Sequence, residues 1–294
     1  MPDTIELECI GTMKSKIVVD SAANLYQMEG IDFACAPIKV VTEEQEYPDD
    51  GRLDAVQVAE TLRSYKGRSS TSCPNVGDWL AAYQGADQVF AITITGTLSG
   101  SYNAALLAAQ DYQQENPEAK VYVLDSLSAG PELQLLAERL RALFDAGTPF
   151  EEICVQMEEY KQHTHLLFSL ESLNNLARNG RVSPAVAAVA RMLGIRVVGT
   201  ASLSGELEVL VKTRGEHGAL ERIVLEMKSR GFVDGPVRIL HCSNPAAATR
   251  LKNMITTVFE GAEVQIMPCG VLCSYYAELG GLMIGFEDGT APAL

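Results

Sequence analysis

The chain has 294 residues, of which 47% are hydrophobic and 21% are charged. This composition indicates an ordinary globular protein of about two domains and excludes a disordered, collagen-like or coiled-coil chain. The formal net charge of −15 argues against nucleic acid and anionic membrane surfaces as partners.

The sequence carries no sign of membrane insertion or export. No apolar run approaches the ~20 residues that span a bilayer, and the first residues lack the basic start and apolar block of a signal peptide. The seven cysteines are odd in number and scattered, which favours reduced thiols over a disulfide framework. We therefore expect a cytoplasmic protein without a membrane span.

Strands and helices alternate through the first half of the chain. Apolar runs predict strands over residues 16–20, 38–42, 88–95 and 121–124. Helical patterns cover residues 54–65, 74–83 and 101–114 between these strands. The alternation predicts an open, mostly parallel sheet with helices on both faces. We assign residues 14–162, which close with a helix over 149–162, to an N-terminal α/β domain.

The pattern changes in the second half. Strands are predicted over residues 165–170, 196–203, 206–213, 237–242, 263–267 and 281–286. Helices are predicted over residues 171–179, 183–194, 216–229 and 245–259. Ser204-Gly205 between two strands predicts a β-hairpin with a two-residue turn. We assign residues 163–288 to a C-terminal α+β domain with a mixed sheet.

Short polar side chains follow the predicted strands of the first half. Ligands of open α/β sheets bind beyond the carboxyl ends of the strands. Those ends carry Asp20-Ser21, Thr71-Ser72, Thr95-Gly96-Thr97 and Asp125-Ser126. Hydroxyls and helix-start N–H groups suit a carboxylate or a phosphate, although each of these residues could equally be a cap or a turn former.

Common enzyme signatures are missing from the sequence. No GxGxxG follows the first strand, no GxxxxGK[ST] occurs, and the serine of the Gly96–Gly100 turn stands one place too late for GxSxG. Two pairs of residues could supply metal ligands, His163 with His165 and Cys269 with Cys273. Neither pair has a third candidate ligand at a recognisable spacing. We predict no catalytic residue, no metal site and no cofactor.

Two functions stay open on the residues alone. A binding protein would hold an anionic group with the hydroxyls and N–H groups at the strand ends. An enzyme or binding protein acting on a small carboxylate or phosphate metabolite would, if catalytic, use Asp20, Asp125 or His165 as acid or base.

Six sequence blocks, taken in order, resemble the DegV family of bacterial fatty-acid-binding proteins. They extend over nearly the whole chain, from residue 16 to about residue 286. The blocks are Ile17-Val-Val-Asp-Ser21, Thr71-Ser-Cys-Pro74, Ile92-Thr-Ile-Thr95 leading into Leu98-Ser-Gly-Ser-Tyr102, Val123-Leu-Asp-Ser126, Gly180-Arg-Val-Ser183 and Val211-Lys-Thr-Arg214.

The resemblance implies a two-domain α/β protein that holds one long-chain fatty acid between its domains. Such a protein presents the carboxylate to a separate fatty-acid kinase, which forms the acyl phosphate. The fatty acid is then a ligand, with its head group on the first domain and its acyl chain in a tunnel of the second. The implied binding residues are Thr71, Ser72, Thr95, Gly96, Thr97, Ser126, Arg181 and Ser274. Arg214 is a further basic candidate, and Ser274 or Tyr275 stands in the place of a histidine that is common in the family.

Overall fold

The computed structural model describes residues 13–183, 186 and 194–292, whose strands form three sheets. The strands are β1 (Ser15–Asp20), β2 (Asp32–Ala36), β3 (Lys39–Thr42), β4 (Glu46–Pro48), β5 (Ser69–Ser72), β6 (Gln88–Thr93), β7 (Lys120–Asp125), β8 (Thr164–Leu170), β9 (Ile195–Ala201), β10 (Leu207–Arg214), β11 (Gly235–His241), β12 (Ala262–Pro268) and β13 (Leu282–Glu287). The helices are α1 (Ala55–Ser64), α2 (Val76–Tyr83), α3 (Ser101–Glu115), α4 (Pro131–Asp145), α5 (Phe150–Tyr160), α6 (Asn174–Arg178), α7 (Gly215–Ser229), α8 (Pro245–Val258) and α9 (Val271–Ala277). The helix predicted over 183–194 falls almost entirely outside the described residues.

The first sheet is parallel throughout, with strand order β2-β1-β6-β7. Successive residues of β1 point to opposite faces, so Val18 packs with α2 and α3 while Ile17 and Val19 pack with α4 and α5. Because both faces are covered, residues 17–19 in the middle of the strand are all apolar. The predicted open parallel sheet with helices on both faces is confirmed. β2 had no counterpart in the prediction.

A small antiparallel sheet, β4-β3-β5, supports helix α9. Asp49, next to this sheet, accepts hydrogen bonds from Val271 N (2.9 Å) and Leu272 N (3.2 Å) in the first turn of α9. Tyr26 Oη donates to the same carboxylate at 2.7 Å. Burial raises the pKa of Asp49, and these donors oppose the rise. A carboxylate at a helix start satisfies N–H groups that have no partner inside the helix, which fixes α9 in place.

The third sheet is mixed, with strand order β10-β9-β8-β13-β11-β12. β11 and β12 are parallel and the other neighbours antiparallel. α7 and α8 cover one face of this sheet and α4 lies on the other. The predicted two-residue turn of the hairpin is wrong, because residues 202–206 separate β9 from β10. Ser202 N donates a hydrogen bond to Glu206 O at the base of this longer turn.

Helix α4 lies between the parallel sheet and the mixed sheet, and it was not predicted. It packs on β1 and β6 from one side and on β13 and β11 from the other. Ten of its fifteen residues are buried, and an apolar stripe at helical spacing, Leu133, Leu136, Ala137, Leu140 and Leu143, packs in the core of the parallel sheet. All strands before residue 126 belong to the first two sheets and all strands after residue 163 to the third. The domain boundary at residues 162/163 stays a prediction.

Within the described ranges, no helix is both long enough and apolar enough to cross a membrane.

Candidate ligand-binding site

An apolar cavity lies where the parallel sheet, the mixed sheet and helix α9 meet. Counted with its opening to solvent, its empty volume is about 730 Å³. The apolar lining residues come from both halves of the chain: Ala22, Ile38, Ile94, Leu98, Ala129, Gly130, Leu166, Phe168, Leu170, Leu176, Leu207, Leu272, Cys273, Ala277 and Met283.

Strand β8 forms one long wall of the cavity. Leu166, Phe168 and Leu170 line the cavity, whereas Leu167 between them belongs to the core beneath α7 and α8. This is the alternation of a strand between two different surroundings. The three lining residues extend over about 13 Å at the rise of a β-strand. The cavity is therefore elongated along β8.

Four polar side chains join this lining: Thr71, Ser99, Arg181 and Tyr276. Thr71 Oγ1 on β5 and Tyr276 Oη on α9 lie 2.7 Å apart. Burial raises the pKa of Tyr276, so its phenol is held in the neutral form, and the nearby Arg181 guanidinium acts in the opposite direction. Because each hydroxyl carries one proton and the two are bonded to each other, one of them can donate to an anion beside this positive charge.

Arg181 is held in place through its backbone-facing nitrogens. Nε donates to Leu98 O at 3.1 Å and Nη1 donates to Asn179 O at 2.7 Å. Asn179 is in turn fixed by Tyr275, whose Oη accepts from Asn179 Nδ2 at 3.0 Å and lies 2.9 Å from Ser69 Oγ. Tyr275 thus connects the loop that carries Arg181 to the strand that carries Thr71.

The structure separates Thr71 from Ser72. Thr71 lines the cavity, whereas Ser72 is exposed on the opposite face of β5 and its hydroxyl donates to Cys73 O at 3.4 Å. Adjacent residues of a strand cannot share a face, so the two hydroxyls do not act together.

Thr95, Gly96 and Thr97 lie beneath the turn between β9 and β10. The N–H of Gly96 donates to both carboxylate oxygens of Asp125, at 3.2 Å each. Thr97 Oγ1 donates to Ser204 O at 2.9 Å, and Thr97 N donates to Thr95 Oγ1 at 3.3 Å. A Cβ at Gly205 would overlap Thr95 Oγ1, so the turn rests directly on this hydroxyl. These three residues join the two halves of the chain and are not among the lining residues.

Ser126 and Ser274 are buried and bonded to backbone groups. Ser126 Oγ donates to Ser128 O at 3.1 Å and accepts from Ser128 N at 3.0 Å, which shapes the turn after β7. Ser274 Oγ donates to Cys269 O at 3.3 Å. Of the residues predicted to bind the ligand, the structure brings Thr71 and Arg181 together at the cavity.

Tyr276 and Ser99 are lining residues that the sequence did not single out for binding. Helix α9 was not predicted, so nothing indicated which of its side chains faces inward. The signal was a pair of consecutive tyrosines in an otherwise apolar segment, because a buried phenol needs a partner. Ser99 is the serine that stands one place too late for GxSxG, and its Oγ accepts a hydrogen bond from Ser101 N at 3.2 Å.

The candidate acids and bases, Asp20, Asp125 and His165, are not among the residues that line the cavity. Asp20 is fully buried, and its carboxylate accepts hydrogen bonds from Ser101 Oγ (2.6 Å), Ile94 N (2.9 Å) and Ala22 N (3.2 Å). Burial raises the pKa of Asp20 to about 6 despite these donors. His165 pairs with Asp288 at 3.2 Å. Among the described residues that line the cavity there is no carboxylate and no histidine.

The predicted metal-ligand pairs gain no third ligand in the described ranges, where no group of three His, Cys, Asp or Glu side chains could hold a metal ion. Cys273 lines the cavity, and burial raises the pKa of its thiol above its usual range.

Comparison with known proteins supports one family. A DegV domain-containing protein of Streptococcus pneumoniae is 38% identical over 279 residues, covering 94% of this chain and 99% of that protein. A DegV family protein from Eubacterium eligens, solved loaded with heptadecanoic acid, has a TM-score of 0.91 and 40% identity, covering 93% of this chain and 99% of that one. The Streptococcus pneumoniae Fatty Acid Kinase (Fak) B3 protein, solved loaded with linoleic acid, has a TM-score of 0.91 and 38% identity, covering 94% and 99%. The family model described as "Uncharacterised protein, DegV family" matches residues 14–288, and the chain therefore belongs to the DegV family.

Proposed function

We propose that this protein binds one long-chain fatty acid in the cavity, with the carboxylate at Thr71, Tyr276 and Arg181. The observation that carries the proposal is an elongated apolar cavity whose polar residues include two hydroxyls 2.7 Å apart beside a guanidinium. An apolar tail and a single anionic head are what such a lining accommodates. The fatty acids held by the Eubacterium eligens and Streptococcus pneumoniae proteins support the same ligand class here.

The acyl chain supplies the affinity in this proposal. Each methylene moved from water into the cavity contributes about 0.8 kcal/mol, which is about fourfold in the dissociation constant. The carboxylate determines orientation, because its interactions with water are largely exchanged for interactions with the protein.

A titration separates this function from its alternative. Saturated fatty acids from octanoic to octadecanoic acid should bind with affinities that rise about fourfold per methylene. Butyrate and inorganic phosphate should not compete with them. Tight binding of butyrate or phosphate, without dependence on chain length, would instead support a protein for small polar metabolites.

We further propose that the chain is the non-catalytic, lipid-presenting partner of a fatty-acid kinase in the cytoplasm. The naming of one neighbour as a Fak B3 protein supports this assignment, and the six described cysteines are unpaired, as expected in a reducing compartment. Lys66, Arg68 and Arg178 line one exposed groove with Asn179, the residue that holds Arg181. Glu43 is the acidic side chain of this groove. The groove therefore offers a basic surface near the head-group residues of an otherwise acidic protein, suited to an acidic face of the kinase.

Charge reversal tests this surface. Lys66→Glu with Arg68→Glu should lower acyl-phosphate formation by an added fatty-acid kinase about tenfold, because rim charges mainly govern the association rate. Fatty-acid affinity should not change. The matched control is Lys14→Glu with Lys228→Glu, which alters the net charge equally at exposed sites elsewhere. Equal turnover by both double variants would show that the kinase docks on another surface.

A further inference from the structure

Two consecutive tyrosines of α9, Tyr275 and Tyr276, bond to alternate residues of strand β5. Tyr276 Oη lies 2.7 Å from Thr71 Oγ1, and Tyr275 Oη lies 2.9 Å from Ser69 Oγ. Residues two apart on a strand share a face, so both pairs lie on the same side of β5. Tyr276 and Thr71 line the cavity, whereas Tyr275 belongs to the hydrophobic cluster that α9 forms with the small sheet and α1. Tyr275 is therefore not among the residues that a ligand in the cavity would contact.

The phenol of Tyr275 holds Asn179, the residue that follows α6. Its Oη accepts a hydrogen bond from Asn179 Nδ2 at 3.0 Å, and its own proton is free to go to Ser69. Asn175 on α6 adds two bonds, because its carbonyl accepts from Asn179 Nδ2 and its side-chain Nδ2 donates to Tyr275 O, each at 2.8 Å. Tyr275 is 2% exposed, so water has little access to replace a bond that is lost. The position of Asn179 thus depends on Tyr275.

Asn179 in turn orients Arg181. Arg181 Nη1 donates to Asn179 O at 2.7 Å, and Nε donates to Leu98 O at 3.1 Å. The chain between Asn179 and Arg181 turns tightly, since Gly180 has a φ of 74° and Arg181 N donates to Leu176 O at 2.8 Å. Neither side-chain bond uses Nη2, so that nitrogen can still meet an anion. The direction of the guanidinium therefore depends on where the Asn179 carbonyl lies.

We propose that Tyr275 is a positioning residue that orients Arg181 through Asn179, and that this makes the cavity selective for an ionised carboxylate over a neutral head group. The inference rests on the proposed function. A loosened guanidinium keeps its charge but loses the geometry on which charge-assisted hydrogen bonds depend. A neutral head group forms weaker hydrogen bonds with the guanidinium, so it loses less when that geometry is lost.

The affinities for an acid and an alcohol of the same chain length measure this role. Tyr275→Phe removes only the phenol oxygen, and the dissociation constants of hexadecanoic acid and hexadecan-1-ol follow from displacement of a fluorescent fatty acid. The affinity for the acid should fall about fivefold, which corresponds to one ordinary hydrogen bond. The affinity for the alcohol should stay the same. A variant that merely loosened the cavity would weaken both ligands alike, because their acyl chains are identical.

The same substitution in an Arg181→Met background tests whether Tyr275 acts through Arg181. Arg181→Met alone should lower the preference for the acid over the alcohol. Adding Tyr275→Phe should lower it no further, since the group that Tyr275 positions is already gone. A second fivefold loss in the double variant would show that Tyr275 acts on the carboxylate by another route, which contradicts the proposal.

Tyr112→Phe is the matched control. Tyr112 is also 2% exposed, and its Oη donates a 2.9 Å hydrogen bond to Ala86 O in the core between the parallel sheet and its helices. This variant should keep the wild-type preference for the acid. An unchanged preference in Tyr275→Phe, with a wild type that prefers the acid, would overturn the role of Tyr275 alone. A wild type that binds the acid no more tightly than the alcohol would overturn the proposed carboxylate site as well.

Discussion

Thr71→Val combined with Tyr276→Phe is expected to weaken fatty-acid binding about 100-fold, because a hydrogen bond to a charged group contributes about 1.5–3 kcal/mol. Both hydroxyls line the cavity 2.7 Å apart, and the substitutions keep the shape of each side chain nearly unchanged. The carboxylate would then be left with Arg181 as its main partner in a largely apolar environment. The dissociation constant of a displaced fluorescent fatty acid provides the measurement.

The matched control removes the same chemical groups away from the cavity. Ser70→Ala lies on the exposed face of β5, and Tyr122→Phe removes a phenol whose partner is Glu158 at 2.7 Å. This double variant should bind as tightly as the wild type. If the Thr71 and Tyr276 variant also bound normally, the head group would lie elsewhere along the cavity.

Glu132→Gln is expected to raise the free energy of unfolding more at pH 8 than near pH 4, because ionising a buried carboxyl is costly. The difference between the effects of the substitution at the two pH values should be about 3 kcal/mol. Burial raises the pKa of Glu132 from its ordinary value of 4.5 to about 7, although Ser128, Thr164 and Arg230 all act to lower it. Ser128 Oγ and Thr164 Oγ1 both donate to this carboxyl. Glutamine has the same shape and carries no charge.

The sign follows from proton binding. Between pH 4.5 and about 7 the folded protein holds a proton on Glu132 that the unfolded chain has lost, so this group lowers the free energy of unfolding as the pH rises. Below pH 4.5 both states are protonated and the contribution is constant. Urea denaturation of wild type and variant across this range gives the difference. The exposed Glu159→Gln on α5 should show no such trend. A variant no more stable than the wild type at pH 8 would contradict the buried neutral form.

The parallel sheet could be predicted because its local and global signals agree. Ile17, Val18 and Val19 are apolar at successive positions, as expected of a strand covered on both faces, and helical patterns separate this strand from those that follow. Thr71 and Arg181 stand in two of the blocks by which the sequence resembles the DegV family, and both line the cavity.

The parts of the cavity that the sequence did not predict depend on contacts between residues far apart in the chain, which sequence periodicity does not record. Helix α4 carries an apolar stripe at helical spacing, but the packing of its other side on the mixed sheet, where Glu132 bonds to Thr164 of β8, is not visible in that stripe. Which hydroxyl of Thr71-Ser72 faces inward follows from the pairing of β5 with β3, where Thr71 lies opposite Val40. Tyr276 reaches Thr71 across 205 residues of sequence, on a helix positioned by the buried carboxylate of Asp49. None of these relations is local.

The most direct test of fatty-acid binding is the lipid content of the purified protein. Its mass is measured under native and then denaturing conditions, and an organic extract is analysed for acyl chains. We expect the native mass to exceed the denatured mass by one long-chain fatty acid. The extract should identify this acid, and stripped protein mixed with it should regain the added mass. Equal native and denatured masses, together with no uptake of any added fatty acid, would contradict this expectation.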